Sequence, residues 1–297
     1  MSAKATMVPM QIMSRGSNTL PNCFRLCFNS EVIIVSIIRS GNYETAQLYV
    51  TRITDEDTNA SFEFKDKLGQ VVLTRQIVRS GSTKIMYDTY YIYDDYGNLA
   101  AVLPPLASDN MKSGTSWTNA NSALLRNYAY LYRYDSRNRC IQKRLPSTSW
   151  TYYVYDKGDR LIFSQDGDQR AQGKWLFSIP DAFGRTVLTG VCSSFYNQTI
   201  SIGKFDGIIV KGEFSLTGTY NGYTLKINDA ILVFNNATVS TASYYDNYNF
   251  LQLSGFSTLA YDSSAQTSYG GRYTGGYQGI TILTETILRA TMVTSLR

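Results

Sequence analysis

One short unit recurs along this chain and constrains its fold more than any other feature. It has one or two aromatics, an aspartate, a turn-forming residue three places later, and then aliphatics. Clear copies are YIYDDYGNL (Asp94, Gly97), YRYDSRNRCI (Asp135, Asn138), YVYDKGDRLI (Asp156, Asp159) and YYDNYNFL (Asp246, Asn249), each with a tyrosine just before the aspartate: Tyr93, Tyr134, Tyr155 and Tyr245. Tyr-Asp occurs six times in all, against about 1.4 expected by chance, and a biased dipeptide of this kind signals a repeat. The copies at Asp88 and Asp262 lack the turn residue and are set aside. FEFKDKLGQVV (Asp66, Gly69) and DAFGRTVL (Asp181, Gly184) keep the spacing without the tyrosine.

The chemistry of one unit is that of a β-hairpin. Residues at i and i+2 share one face of a strand, which pairs Phe62 with Phe64, Tyr91 with Tyr93, Tyr132 with Tyr134 and Tyr153 with Tyr155. An aspartate opening a turn accepts backbone N–H bonds just ahead of it. Asp at the first position and Gly at the fourth mark a type I turn. A following left-handed residue closes it as a hairpin with a bulge, and Gly, Asn and Asp tolerate that conformation. A lone hairpin is marginal, so tandem copies are expected to pair edge to edge and bury their aromatic faces together. The reading is all-β: one continuous, strongly curved antiparallel sheet.

Composition agrees. Tyrosine, at 24 residues, is in excess, and charged residues make up only 17% of the chain; tyrosine favours strands and half-buried surfaces. Histidine is absent, which removes Ser-His-Asp and Cys-His nucleophilic schemes and imidazole metal sites. Cys23 and Cys27 lack an answering second pair, and Cys140 and Cys192 stand alone, so scattered free thiols are expected. The run VIIVSII (32–38) is too short to cross a membrane and reads as a buried strand. No signal peptide is recognised.

At these units the sequence resembles the YD-repeat, or Rhs, family, which includes bacterial Rhs elements, wall-associated repeat proteins, Tc-toxin shell components and the animal teneurins. FEFKDKLGQVVLTRQ looks most like large surface Rhs-type proteins of gut Bacteroidetes. The resemblance covers roughly residues 48–190 and 243–255. It implies a spiralling β-sheet that wraps into a hollow shell, and secretion or surface display. Family chains run to many hundreds of residues, so this one is expected to be a fragment. The Asp-Pro of the family's self-cleaving core motif does not occur here, so autoproteolysis is not carried over.

Four regions are expected. Residues 1–47 form a non-repetitive N-terminal segment. Residues 48–190 form the repeat sheet, with a short helical insertion near 108–126 after Pro104-Pro105. Residues 191–242 are a β insertion with turns at Asn221-Gly222 and Asn228-Asp229. Residues 243–297 hold the last unit and a divergent tail, whose glycines in YGGRYTGGYQG suggest a loop.

Candidate sites are few. Asp55, Asp57, Asn59, Ser61, Glu63 and Asp66 match the spacing of a calcium loop, but Ala60 replaces its glycine and Asp66 its bidentate glutamate. The alternative is a solvated loop entering a strand. Arg126, Arg133, Arg137, Arg139, Lys143 and Arg144 surround a single acid, Asp135, and tyrosines interleave. This suggests a polyanion patch centred on Arg133, Arg137, Arg139, Lys143 and Arg144. The alternative has tyrosines facing in and arginines facing out to keep strand edges soluble. Asp166 and Asp168 have the residue types of a glycosidase pair but sit in one turn. No catalytic residue, metal or cofactor is expected. The expected role is a structural scaffold, with a carbohydrate- or polyanion-binding module as the alternative. Glycans or further Rhs-repeat segments are the expected partners, with edge-to-edge self-association, and no nucleic acid.

Overall fold

The computed structural model describes residues 4–9, 22–29, 34–56, 59–111, 116–118, 122–196, 198–246, 248–254, 269–282 and 285–291. Asp57, Asp262, Val32 and Ile33 lie outside them, as do the Cys23 and Cys27 side chains. Among the described residues the fold is all-β and antiparallel, with three short helices. It divides into two compact units, Met1–Trp150 and Thr151–Arg297, a boundary inside the block of repeats.

In the first unit the elements are β1 (Lys4–Pro9), β2 (Asn22–Asn29), β3 (Ile34–Asn42), β4 (Tyr49–Thr54), β5 (Ala60–Lys65), β6 (Val71–Ser80), β7 (Thr83–Tyr93), β8 (Leu99–Leu103), α1 (Pro105–Asn110), β9 (Ser116–Thr118), α2 (Ala123–Tyr128), β10 (Tyr130–Tyr134) and β11 (Cys140–Arg144). The main sheet runs β1-β4-β5-β6-β7-β8-β10-β11, and β2-β3-β9 form a second one. The single helix expected near 108–126 is instead two helices with a short strand between. Pro105 opens α1, where a missing N–H costs nothing. Ser122 caps α2 by accepting from the Leu125 N–H at 3.2 Å.

Phe62 and Phe64 are buried as expected, but the paired tyrosines lie on the opposite face. Counting back from each aspartate, the second and fourth residues face the core. These are Phe64 and Phe62, Ile92 and Tyr90, and in β10 Leu131, with Arg133 half-buried. The repeat tyrosines Tyr91, Tyr93, Tyr132 and Tyr134 are half-buried on the other face. Shared parity was legible, but aliphatics gain more from full burial than a ring whose hydroxyl must keep a partner. Against the core face pack Ile37 of β3, Ala107 of α1 and Leu125 of α2. Fully burying one such leucine stabilises by roughly 2 kcal/mol. One charged pair shares this face: Arg75 donates to both carboxylate oxygens of Asp88 directly opposite, at 2.7 Å each, and both residues are buried. Asp88 is therefore a mid-strand ion-pair residue and not a turn.

The second unit contains β12 (Thr151–Tyr155), β13 (Leu161–Gln165), α3 (Gly167–Ala171), β14 (Trp175–Pro180), β15 (Thr186–Cys192), β16 (Ser194–Phe195), β17 (Val210–Phe214), β18 (Tyr223–Ile227), β19 (Ala230–Leu232), β20 (Phe234–Asn235), β21 (Thr238–Asp246), a 3-10 turn at Asn249–Gln252, β22 (Tyr269–Ile282) and β23 (Glu285–Thr291). Its main sheet runs β12-β13-β14-β15-β21-β22-β23. Between β15 and β21 the insertion forms the sheet β17-β18-β19 and the pair β16-β20. Positive φ angles at Asn221 (48°), Gly222 (78°) and Asn228 (50°) turn the chain there. The core joins the two parts: Phe163 and Phe177 of the main sheet meet Phe234 at 5.6 and 5.0 Å between ring centroids. Gly190 permits this packing, because a Cβ there would lie 2.5 Å from the Phe177 ring and 2.2 Å from the Thr238 carbonyl oxygen.

The glycine-rich tail is a strand, not a loop. β22 pairs with β21 on one edge and β23 on the other, and two ladders of backbone bonds outweigh the weak strand preference of glycine.

Candidate functional site: the turn edge

Five aspartates begin the same turn. In each, the aspartate N–H donates to the carbonyl four residues on, and the N–H three residues on donates back to the aspartate carbonyl. At Asp94 these bonds are 2.9 and 3.0 Å, and Asp66, Asp135, Asp156 and Asp181 repeat them. One carboxylate oxygen accepts two further N–H groups, from the second and fourth residues after it. At Asp66 these are Leu68 and Gln70, at Asp94 Tyr96 and Asn98, and at Asp181 Phe183 and Arg185, all between 2.8 and 3.0 Å. Asp135 and Asp156 do the same. The third residue is left-handed in every copy: φ is 82° at Gly69, 83° at Gly97, 58° at Asn138, 61° at Asp159 and 84° at Gly184. A register shift just before each aspartate completes the bulge.

In four of the five turns the other carboxylate oxygen is claimed by the side chain four residues on. Asn98 donates to Asp94 at 3.1 Å, and Arg139 and Arg185 donate through Nε to Asp135 and Asp181 at 2.7 Å. Arg160 is paired with Asp156. At Asp135 burial alone raises the carboxyl pKa. The bonds from Arg139 and Arg137 outweigh it and hold the group below its ordinary value.

The same side chains reach the neighbouring turn. Gln70 donates to the Gly97 carbonyl at 3.4 Å, and Asn98 donates to the Asn138 side-chain oxygen at 3.1 Å. Arg160 donates to the Asp181 carbonyl at 3.2 Å. Arg185 grips both oxygens of Asp246, at 2.9 and 2.7 Å, with its guanidinium 4.4 Å from the Tyr245 ring centroid. Bonding first to Asp246 and then to Asp181 holds Arg185 above its ordinary pKa. The tyrosine before the aspartate supplies a second link. Tyr93, Tyr134 and Tyr245 donate their hydroxyls to the Val71, Leu99 and Thr186 carbonyls at 3.1, 3.0 and 3.3 Å. Each acceptor lies five residues after the aspartate of the preceding unit. Tyr155 occupies the corresponding place before Asp156 and is half-buried.

The Asp246 copy departs from the hairpin. Asp246 itself takes φ of 73°, Asn249 begins the 3-10 turn, and Asp246 pairs with Tyr269 in β22. Burying Phe250, stacked on Tyr244 at 4.6 Å, wins over a tight turn. Its carboxylate is left to bind Arg185.

The Asp156 turn also holds the insertion. Val210 N–H donates to Asp156 at 3.3 Å, Arg160 donates to the Val210 carbonyl at 2.7 Å, and Lys157 N–H donates to the Ile208 carbonyl at 2.9 Å. Sequence reasoning placed Arg139 only in the basic patch and missed Arg160 and Arg185. The signal was a hydrogen-bonding side chain four places after every turn aspartate: Gln70, Asn98, Arg139, Arg160 and Arg185.

The other candidates are dispersed. Asp55 accepts the Asn59 backbone and side-chain N–H at 2.7 and 3.1 Å, closing the β4–β5 turn. Asp66 sits at the far end of β5, roughly 20 Å away. The basic cluster is divided. Register places Leu131, Arg133, Gln142 and Arg144 on one face and Tyr132 and Lys143 on the other, while Arg137 and Arg139 belong to the turn. Arg144 donates to the Thr148 carbonyl at 3.1 Å and Arg133 to Gln142 at 3.0 Å. Asp166 is the N-cap of α3 and accepts from the Gln169 N–H at 2.8 Å, with Asp168 in the first turn. A depression of about 370 Å³ on the second unit, at the bulge beside Thr189 and Ser240, has no titratable side chain in its lining. Among the described residues no three His, Cys, Asp or Glu side chains gather as a metal site, and no helix is long and apolar enough to cross a membrane.

No family model matches the chain, and no curated protein matches it. Among solved structures it is similar to TcdB2-TccC3-TEV, at 12% identity and a TM-score of 0.45 over 93% of this chain. It is also similar to TcdB2-TccC3 without its hypervariable C-terminal region, at 11% identity, a TM-score of 0.45 and 93% coverage. The Photorhabdus luminescens Tc holotoxin pore gives 11%, 0.40 and 85%. The chain spans 12% of the length of each of these structures.

Proposed function

We propose that this chain is a structural wall segment of a longer, secreted or surface-displayed protein of the YD-repeat type, and that it performs no catalysis. The observation that carries this reading is the linkage of consecutive turns through Gln70, Asn98, Arg160 and Arg185. Along the turn edge, the side chains suited to chemistry or recognition are committed to the fold. Turn aspartates satisfy backbone N–H groups, arginines tie neighbouring turns together, and Tyr93, Tyr134 and Tyr245 hold carbonyls. A hairpin linked to its neighbours along both strand and turn opens less readily than one held by its ladder alone, which suits a wall.

A glycan array tests this against the binding alternative. Silence across the array, with cooperative unfolding lost when the inter-turn arginines are truncated, supports the wall. Specific hits abolished by Tyr91→Ala or Tyr132→Ala, with stability unchanged, would replace it with a carbohydrate-binding role.

A further inference from the structure

Three of the five turns place a large apolar residue two positions after the aspartate, and all three are nearly bare: Leu68 is 83% exposed, Tyr96 82% and Phe183 82%. In each, the backbone N–H is tied down to the aspartate carboxylate, so the shared turn geometry projects the side chain away from the sheet. Scattered exposed apolar residues are ordinary. Here the same turn position recurs, and Leu68 and Tyr96 stand on adjacent turns joined by the bond from Gln70 to Gly97. Two strand spacings put those turns about 10 Å apart.

The residue before each is exposed and charged, with opposite signs: Lys67 precedes Leu68 and Asp95 precedes Tyr96. We propose that this pair of turns in the first unit is a self-association surface for a second copy of the chain. A two-fold axis passing between the turns sets Leu68 against Tyr96 of the second copy, and Lys67 against Asp95 of the second copy, each twice over. That self-complementarity is what a closed dimer requires. A partner carrying one sign of charge would meet one attractive and one repulsive residue, whereas a second copy meets two attractive pairs. The patch is small, so the dimer is weak and exchanges rapidly.

Sedimentation velocity of the whole chain over a concentration series tests this. The wild type self-associates, and added salt weakens the association. Lys67→Glu weakens it by about tenfold, and the double exchange Lys67→Glu/Asp95→Lys restores it. Leu68→Ser/Tyr96→Ser abolishes it, and Phe183→Ser, in the other unit, leaves it unchanged. Thermal melts confirm that every variant is folded. A wild type monomeric at every concentration, a charge exchange no better than Lys67→Glu alone, or a Phe183→Ser variant as impaired as the Leu68/Tyr96 double would overturn the proposal.

Discussion

The hydroxyl of Tyr134 donates to the carbonyl of Leu99 at 3.0 Å, across from its own hairpin to the one before. Burial, with Cys140, Tyr132 and Asp94 nearby, pushes that hydroxyl up to about 12. The unfolded chain ionises near pH 10. Between these values the folded state binds more protons than the unfolded one, so stability falls as pH rises from about 10 to about 12. Tyr93, Tyr132 and Tyr223 are shifted the same way, with burial the largest cause in each. Tyr134→Phe should cost about 1 kcal/mol at neutral pH and flatten part of the alkaline decline. Urea titrations at several pH values check both.

Arg75 and Asp88 should respond asymmetrically. Asp88→Ala leaves a buried guanidinium without its carboxylate and is expected to cost about 3–5 kcal/mol. Replacing both by apolar residues, as in Arg75→Met/Asp88→Leu, should cost markedly less, because no charge is stranded. Equal losses from the single and double variants in chemical denaturation would rule out a desolvated pair.

The left-handed positions should tolerate glycine better than alanine. Asn138→Ala should destabilise by about 1 kcal/mol, since alanine resists φ of 58°. Asn138→Gly relieves the conformational cost but loses the bond from Asn98, so it should cost less than Asn138→Ala without being neutral. Gly97→Ala should also lose about 1 kcal/mol, from φ and from a Cβ placed 3.1 Å from the Gln70 amide. Thermal unfolding of the three variants is the measurement.

Arg160 should act as a latch for the insertion. Lysine cannot reproduce a fork shared among Asp156, Asp181 and Val210. Arg160→Lys is therefore expected to speed hydrogen exchange at the Val210 amide and proteolysis within residues 193–237, while leaving the Asp94 turn protected. Exchange at Val210 unaltered from wild type would show that the insertion is held by its apolar core alone.

Much of the local structure was legible because a turn is a local problem. Asp66 and Gly69, or Asp135 and Asn138, carry the carboxylate and the left-handed residue within four positions. The all-β class followed from the same units. Which face is buried was not legible, since parity joins Tyr91 to Tyr93 without saying that Ile92 and Tyr90 take the core. The links between turns were hidden for a related reason. Arg160 and Arg185 meet acceptors decided by sheet order, up to 61 residues away in the case of Asp246. The Asp246 copy looked like the others because the competing burial of Phe250 depends on the insertion before it.

The central claim is that neighbouring turns are energetically coupled, and a double-mutant cycle on Arg185 and Asp246 measures that coupling directly. Asp246→Ala removes the inter-turn contact while the Asp181 bonds to Arg185 remain, and the cost of an alanine at φ of 73° is common to the single and double variants and cancels in the cycle. Denaturant unfolding of the wild type, Arg185→Ala, Asp246→Ala and the double variant is expected to give a favourable coupling of about 1 kcal/mol or more. Costs that add to within about 0.5 kcal/mol would mean the turns stand independently, and the linked wall would not exist.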